Sequence, residues 1–339
     1  MVIDNNFYMS LALREAWKYQ GLTYPNPAVG CCVVGEHGEI LGVEAHHKAG
    51  EPHAEVNALK SAYYKLTNDS YILALKESVD IHTHLLSNHN GIFKKTKLYT
   101  TLEPCSHYGK TPSCANLIAE LGIEEVYIGS SDTNKIAANG TLKLSMNNCM
   151  VYSDVLKTEC DALLLPFNKT LEDRFVFFKW AERLNGTTDE GTISSQSSRR
   201  QVHAMRDVCD LLVIGGGTVR EDRPTLDARL VNGKAPDILI LSRNKDFDRA
   251  IPLFDVPDRK VYIEDNLERI QEYKNIMIEG GSAMYTLTRG VVDYYLCYIA
   301  PSLGGNESIK FSNDKFTFLN VDKESEDIIV WMKRIENNG

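Results

Sequence analysis

A histidine and a glutamate stand two residues apart at His53 and Glu55, in the stretch EPHAEVNAL, directly after Pro52. An imidazole is a ligand for zinc, and a carboxylate beside a metal-activated water can take its proton and pass it to a leaving amine. A catalytic zinc site takes three protein ligands and keeps one position open. About fifty residues later, TTLEPCSHYGKTPSCANLI offers two thiols, Cys105 after Pro104 and Cys114 nine positions on. Both can meet His53 if the strand leading to Cys105 lies beside the segment that follows His53. His53, Cys105 and Cys114 are therefore expected to hold zinc, with Glu55 as the catalytic proton carrier.

The elements must bring these groups together. Residues i and i+2 of a regular helix point nearly opposite ways, so His53 and Glu55 share a site only at a helix entry, which Pro52 suits. HAEVNALKSAYYKL reads as that amphipathic helix, and KLYTTLEP as a strand running into the Cys105 loop. Cys114 is expected to open a helix, whose unpaired N–H groups favour thiolate. Upstream, NNFYMSLALREAWKYQG reads as a helix ending at Gly21, TYPNPAVG as turns, and CCVVGEHGEILGVEAHH as a hairpin. Residues 66–95 read as a polar, irregular insertion, partly helical at YILALKESV, with His82, His84 and His89 as solvated loop residues. Cys31 and Cys32 fall in an apolar strand and are expected to pack. Cys149, Cys160, Cys209 and Cys297 have no zinc-like spacing.

With 339 residues, two domains are expected. The first runs to about 150; 151–173 reads as a helix and then a linker; a second α/β pattern occupies 174–339. Its expected strands are RFVFFKWA, DLLVIGG, DILILSR, KVYI, NIMIEGG and DYYLCYIAP. Three end in glycine-containing turns, which suits ligand binding at strand C-terminal ends. No run of about 18 uncharged apolar residues suggests a membrane span, and the N-terminus does not read as a secretory signal. A cytoplasmic enzyme with reduced thiols is expected. The net charge of −9 argues against a nucleic-acid partner. A homo-oligomer is expected on general grounds.

H-x-E followed by P-C and a second cysteine is the pattern of zinc deaminases, although their second cysteine usually follows three positions after the first. The wider stretches TYPNPAVGCCVV, HHKAGEPHAEVNAL and TLEPCSHYGKTPSCANLI resemble the deaminase half of the bifunctional riboflavin-biosynthesis deaminase/reductase family, which has this cysteine spacing. GGGTVREDRPTLDARL, IEGGSAMYT and VDYYLCYIAPSLGG are similar to its reductase half. The resemblance implies an α/β architecture, with a cytidine-deaminase-like three-layer domain followed by a dihydrofolate-reductase-like domain. It implies zinc and NADPH as cofactors and a phosphorylated pyrimidine as substrate. In the deaminase half it implies substrate contacts at Asn26, His107, Lys110 and Thr111. In the reductase half it implies substrate contacts at Lys179, Arg206, Leu226, Arg229 and Glu279, and cofactor contacts at Thr218, Asp222, Ser242, Gly280 and Gly281.

The chain departs from the family pattern in three places. ERLNG has Asn185 where the family has the acid of S-x-D-G, TTDEGTISS is shorter than the usual loop, and SDTNKIAANG matches only loosely. The first two leave open an alternative in which a working deaminase carries a non-reducing C-terminal domain. A nucleic-acid base deaminase would share the zinc chemistry, but the charge, the cysteine spacing and the reductase-like half count against it. A purely structural zinc site would need a fourth protein ligand.

Overall fold

In a computed structural model, described here over residues 3–107, 109, 111–133, 139–189, 191–311 and 313–335, the chain divides into two compact units, Met1–Asn168 and Lys169–Gly339. The first begins where the Asp4 carboxylate accepts the otherwise unpaired N–H of Phe7 at 2.9 Å and so starts helix α1 (Asn5–Trp17). There follow β1 (Gly30–Val34), β2 (Ile40–Ala45), α2 (Ala54–Thr67), α3 (Tyr71–Ala74), α4 (Ser78–Asn88), β3 (Lys97–Leu102), α5 (Cys114–Glu120), β4 (Glu125–Ser130), α6 (Gly140–Met146), β5 (Met150–Tyr152) and α7 (Lys157–Glu172). The sheet order is β2-β1-β3-β4-β5. β1 is antiparallel to both β2 and β3, and β3, β4 and β5 are parallel.

Alternate residues of a strand face opposite sides of its sheet, and here they recruit different helices. Cys31 and Val33 pack in one core with Val56, Leu59, Cys114 and Leu117 of α2 and α5. Gly30, on the other face, lies so close to α1 that a Cβ there would sit 1.9 Å from the Ala12 carbonyl oxygen. The unit is therefore helix, sheet, helix. On the α1 side the paired positions Tyr99, Tyr127 and Tyr152 stack ring on ring, at centroid spacings of 4.5 and 4.7 Å.

The second unit holds β6 (Phe175–Arg183), α8 (Gln196–Val208), β7 (Leu211–Gly215), α9 (Gly216–Asp222), β8 (Asp237–Leu241), β9 (Val261–Glu264), β10 (Asn275–Glu279), α10 (Ser282–Thr288), β11 (Tyr294–Ala300), β12 (Lys315–Glu324) and β13 (Asp327–Ile335). Its sheet runs β12-β13-β11-β6-β10-β7-β8-β9. The strands from β11 to β9 in this order are parallel, while β13 pairs antiparallel with both β11 and β12. Val176, Phe178, Val213, Leu239, Ile276, Ile278 and Tyr295 form a core on one face, and the intervening Phe177, Leu212, Ile238 and Met277 are buried as well, giving the near-continuous apolar runs expected of strands covered on both faces.

Three expectations change. The stretch 66–95 is not irregular: α4 buries Ile81, His82 and Leu85 against the first core, and its polar composition belongs to its outer face. His82 is 5% exposed, and His84 bonds Asp69 at 2.9 Å, so neither is a solvated loop residue. Most of the stretch 151–173 joins the first unit, because α7 buries Cys160, Leu163 and Leu164. The C-terminal hairpin β12–β13 was not foreseen.

Candidate functional site

His53 is the N-cap of α2, with extended backbone (φ −68°, ψ 162°), so its side chain leaves the helix in a different direction from a regular turn. Glu55 lies in the first turn. Cys105 leaves β3 in a loop, and Cys114 is the first residue of α5. Ser113 caps α5: its hydroxyl accepts from Asn116 N–H at 3.2 Å and donates to the Cys105 carbonyl at 2.8 Å. That pair of bonds ties the two cysteines together. His53 Nδ1 lies 3.4 Å from Cys114 Sγ and 3.7 Å from Cys105 Sγ, and all three ligand atoms fall within 4.8 Å of one another.

The electrostatics favour a cation between them. The Cys114 amide at the start of α5 donates to Cys105 Sγ at 3.3 Å. Contact with the Cys114 thiol, and then with His53, against the opposing effect of burial, brings the Cys105 thiol down to about 4. The same contact, with burial, pushes Cys114 up. Two thiolates side by side cannot both be charged unless a cation compensates them, so one borrows the other's proton. Imidazole with two thiolates suits zinc, and among the described residues no fourth ligand joins this cluster, which leaves the position a catalytic site requires. Glu55 is 4% exposed, and burial, opposed by His53, pushes its carboxyl up to about 7.

Two residues that the sequence reading passed over complete the deaminase site. His46 Nδ1 lies 3.1 Å from the Pro52 carbonyl, which can only accept, so Nδ1 carries the proton. Burial holds this ring neutral, at about 4. Nε2 is then an acceptor and takes the Asn26 amide N–H at 3.1 Å. Asn26 is thereby fixed, and among the described residues its oxygen has no further side-chain partner; His46 meets His53 edge to face at 5.6 Å. Glu103, in the TLEPC stretch, accepts from Thr141 N–H at 2.8 Å and Asp132 N–H at 3.2 Å, fastening the chain after β4 beside the metal loop. A second histidine seven residues before His53, and a carboxylate ending an apolar strand, were the only signals for these roles.

The loop between the cysteines is less uniform than expected. Thr111 is buried, with its hydroxyl 3.4 Å from His53 Nε2, where it orients the ligand imidazole. His107 is exposed, and Lys110 lies outside the described residues.

In the second unit, Lys179 on β6, Arg206 on α8, and Leu226 and Arg229 from the loop after α9 line one cavity of about 270 Å³. Glu279, at the end of β10, accepts from Arg206 Nε at 3.1 Å and Nη2 at 2.8 Å, and lies 3.9 Å from Lys179 Nζ. Burial acts against the charged carboxyl, but Arg206 and Lys179 outweigh it and hold Glu279 below the usual carboxylate range. The parallel neighbours β10, β7 and β8 end side by side, which places Gly280 and Gly281, the start of α9 with Thr218, and Ser242 along one edge, while Asp222 ends α9. The approach there is tight: a Cβ on Gly216 would lie 2.6 Å from Ser242 Oγ. The departures from the family pattern are built in. Asn185 donates its amide to the Gly304 carbonyl at 2.9 Å, which an aspartate could not do. Asp189 accepts from Asn306 N–H at 2.9 Å and Glu307 N–H at 3.0 Å.

Comparison with known proteins agrees with this division. Residues 3–130 match the cytidine and deoxycytidylate deaminase zinc-binding region, and residues 183–330 match the RibD C-terminal domain. The riboflavin biosynthesis protein RibD of Actinobacillus pleuropneumoniae is 31% identical, over 89% of this chain and 85% of its own length. That of Aquifex aeolicus is 30% identical over 98% and 99%. The crystal structure of a Thermotoga maritima diaminohydroxyphosphoribosylaminopyrimidine deaminase/5-amino-6-(5-phosphoribosylamino)uracil reductase aligns with a TM-score of 0.62 at 27% identity, over 98% of this chain and 99% of that one. A zinc triad with a buried carboxylate in one unit, a cationic cavity beside glycine-rich strand ends in the other, and these matches along the chain lead to one conclusion: the chain belongs to the RibD family, and is a riboflavin-biosynthesis enzyme that joins a zinc-dependent deaminase to an NADPH-dependent reductase.

Proposed function

We propose that the first unit hydrolyses the ring amine of 2,5-diamino-6-ribosylamino-4(3H)-pyrimidinone 5′-phosphate, and that the second reduces the ribosyl side chain of the product to ribityl. The observation that carries the first step is the convergence of His53, Cys105 and Cys114 beside Glu55. His53, Cys105 and Cys114 would hold zinc, which would supply an activated water beside Glu55. Glu55 takes a proton from that water and delivers it to the departing amine, so a C–O bond forms, the C–N bond breaks and ammonia leaves. A buried carboxyl pushed up to about 7 is suited to both halves of that transfer. The side-chain oxygen of Asn26, oriented by His46, accepts from the ring's N–H edge.

The cationic cavity of the second unit suits the substrate's phosphate, with Lys179, Arg206 and Arg229 as donors and Leu226 against the apolar part of the ligand. Glu279 holds Arg206 in place through both of its carboxylate oxygens and, beside it, contacts the sugar. Thr218, Asp222, Ser242, Gly280 and Gly281 lie where a dinucleotide would approach the strand ends. NADPH bound there would supply the hydride that reduces the sugar C1, with a proton going to the ring oxygen released from that carbon. The cavity and the loop 184–189, held by Asn185 and Asp189, favour an active reductase over a degenerate one. A homo-oligomer acting on this small phosphorylated ligand, without nucleic acid, in the cytoplasm, remains our reading of its setting. Among the described residues, no helix is long and apolar enough to cross a membrane.

Incubating the purified protein with the diaminopyrimidine substrate tests both steps. Without NADPH the deaminated ribosylamino compound should accumulate with one equivalent of ammonia. With NADPH the ribitylamino compound should form with one equivalent of NADP+. Deamination without any NADPH oxidation would overturn the second assignment, and no ammonia from the zinc-loaded protein would overturn the first.

A further inference from the structure

The reductase cavity has a wall that the assignments above leave unused. Arg199, His203 and Arg206 lie at i, i+4 and i+7 on α8, one stripe of that helix, and all three line the cavity. His203 is 7% exposed, and its Nδ1 is a buried polar atom with no hydrogen-bond partner. The nearest carboxylate oxygen, on Asp227, is 3.9 Å away, beyond hydrogen-bond reach. A buried nitrogen left unpaired is costly and calls for an explanation. Arg199 is exposed, and among the described residues it has no carboxylate partner.

The charges point to what is missing. The cavity gathers four cations, Lys179, Arg199, Arg206 and Arg229. Glu279 answers Arg206, and Asp227 answers Arg229 at 2.7 Å. Two positive charges are left over, which matches one phosphate dianion. We propose that His203 and Arg199 complete the phosphate seat of the reductase, with the His203 imidazole donating an N–H to one phosphoryl oxygen and Arg199 closing over another. This rests on the reading of the cavity as the seat of the substrate's phosphate.

The imidazole suits the place better than a further cation would. Burial, and then Arg206, push it down to about 4, with Arg229 acting the same way and Asp227 and Glu279 opposing. In the empty cavity it is a neutral donor that adds no repulsion among crowded cations. When a dianion binds, its N–H finds the partner it lacks.

The test compares kcat/KM of the reductase for 5-amino-6-(5-phosphoribosylamino)uracil and for its dephosphorylated counterpart. In the unaltered protein the phosphorylated compound should be strongly preferred. His203→Ala and Arg199→Ala should each cut that preference about tenfold or more, the weight of one hydrogen bond to a charged group. KM for NADPH should not move. His203→Asn, which keeps a neutral amide N–H donor on the same stripe of α8, should restore most of the preference, an outcome a merely structural role does not give. If His203→Ala is insoluble, Arg199→Ala on the exposed side still reads the seat. An undiminished preference in either alanine variant overturns the proposal. No preference in the unaltered protein overturns the phosphate reading of the cavity and this proposal together.

Discussion

The chemistry proposed for Glu55 rests on two facts about its position. It sits in the first turn of α2, so it can share a site with His53, and it is buried, so its carboxyl holds a proton near neutral pH. Replacing it with glutamine keeps the shape and removes the proton transfer. Glu55→Gln should lower deamination by about 10²–10⁴-fold, the range for a positioned acid–base group. Zinc content, measured by elemental analysis, and NADPH-dependent reduction of the deaminated intermediate should be unchanged; retained deamination would remove Glu55 from the proton path. The metal-ligand cluster was legible in the sequence because each ligand needs a specific residue type at a specific place along the chain, and the same reading puts Glu55 beside it. Asn26 could be read there only as an expected contact. Its orientation depends on His46, and the tautomer of His46 depends on the Pro52 carbonyl, a chain of hydrogen bonds that exists only once the chain is folded.

At the scale of elements, α4 is the instructive case. Its sequence, SVDIHTHLLSN, is polar enough to pass for a loop, yet Ile81 and Leu85 are fully buried one turn apart against α2 and α5, the helices that carry His53 at one entry and Cys114 at the other. If this segment were a solvated insertion, Ile81→Ala would cost nothing. Because it is core, the substitution should destabilise the first unit by about 2–4 kcal/mol, read as a lower urea midpoint for deaminase-unit unfolding. The hairpin β1–β2, the strand before Cys105 and the parallel strands of the second unit were legible from their periodicity. Helix α4 and the β12–β13 hairpin were not: a few apolar residues carry each, and what makes them sufficient is the surface already waiting to be covered.

At the scale of the molecule, the two chemistries lie in separate compact units with separate cores. Stripping zinc with a chelator should therefore abolish deamination while leaving NADPH oxidation with the deaminated intermediate within about twofold of its starting rate, since the reductase cavity contains none of the metal ligands. Loss of both activities together would show that zinc supports more than the deaminase. By itself, the sequence determined the zinc chemistry, the order of the two activities and most of the strands, because ligand type, spacing and hydrophobic period are local properties of a chain. Only the tertiary structure decided that Glu279 braces Arg206, that Thr111 faces the ligand histidine, and that His203, with a buried and unpaired ring nitrogen, lines a cavity with two uncancelled positive charges. Those facts arise between residues far apart in the chain. Burial and partnering, which set the charge and the cost of a buried polar group, are not defined until the fold is complete.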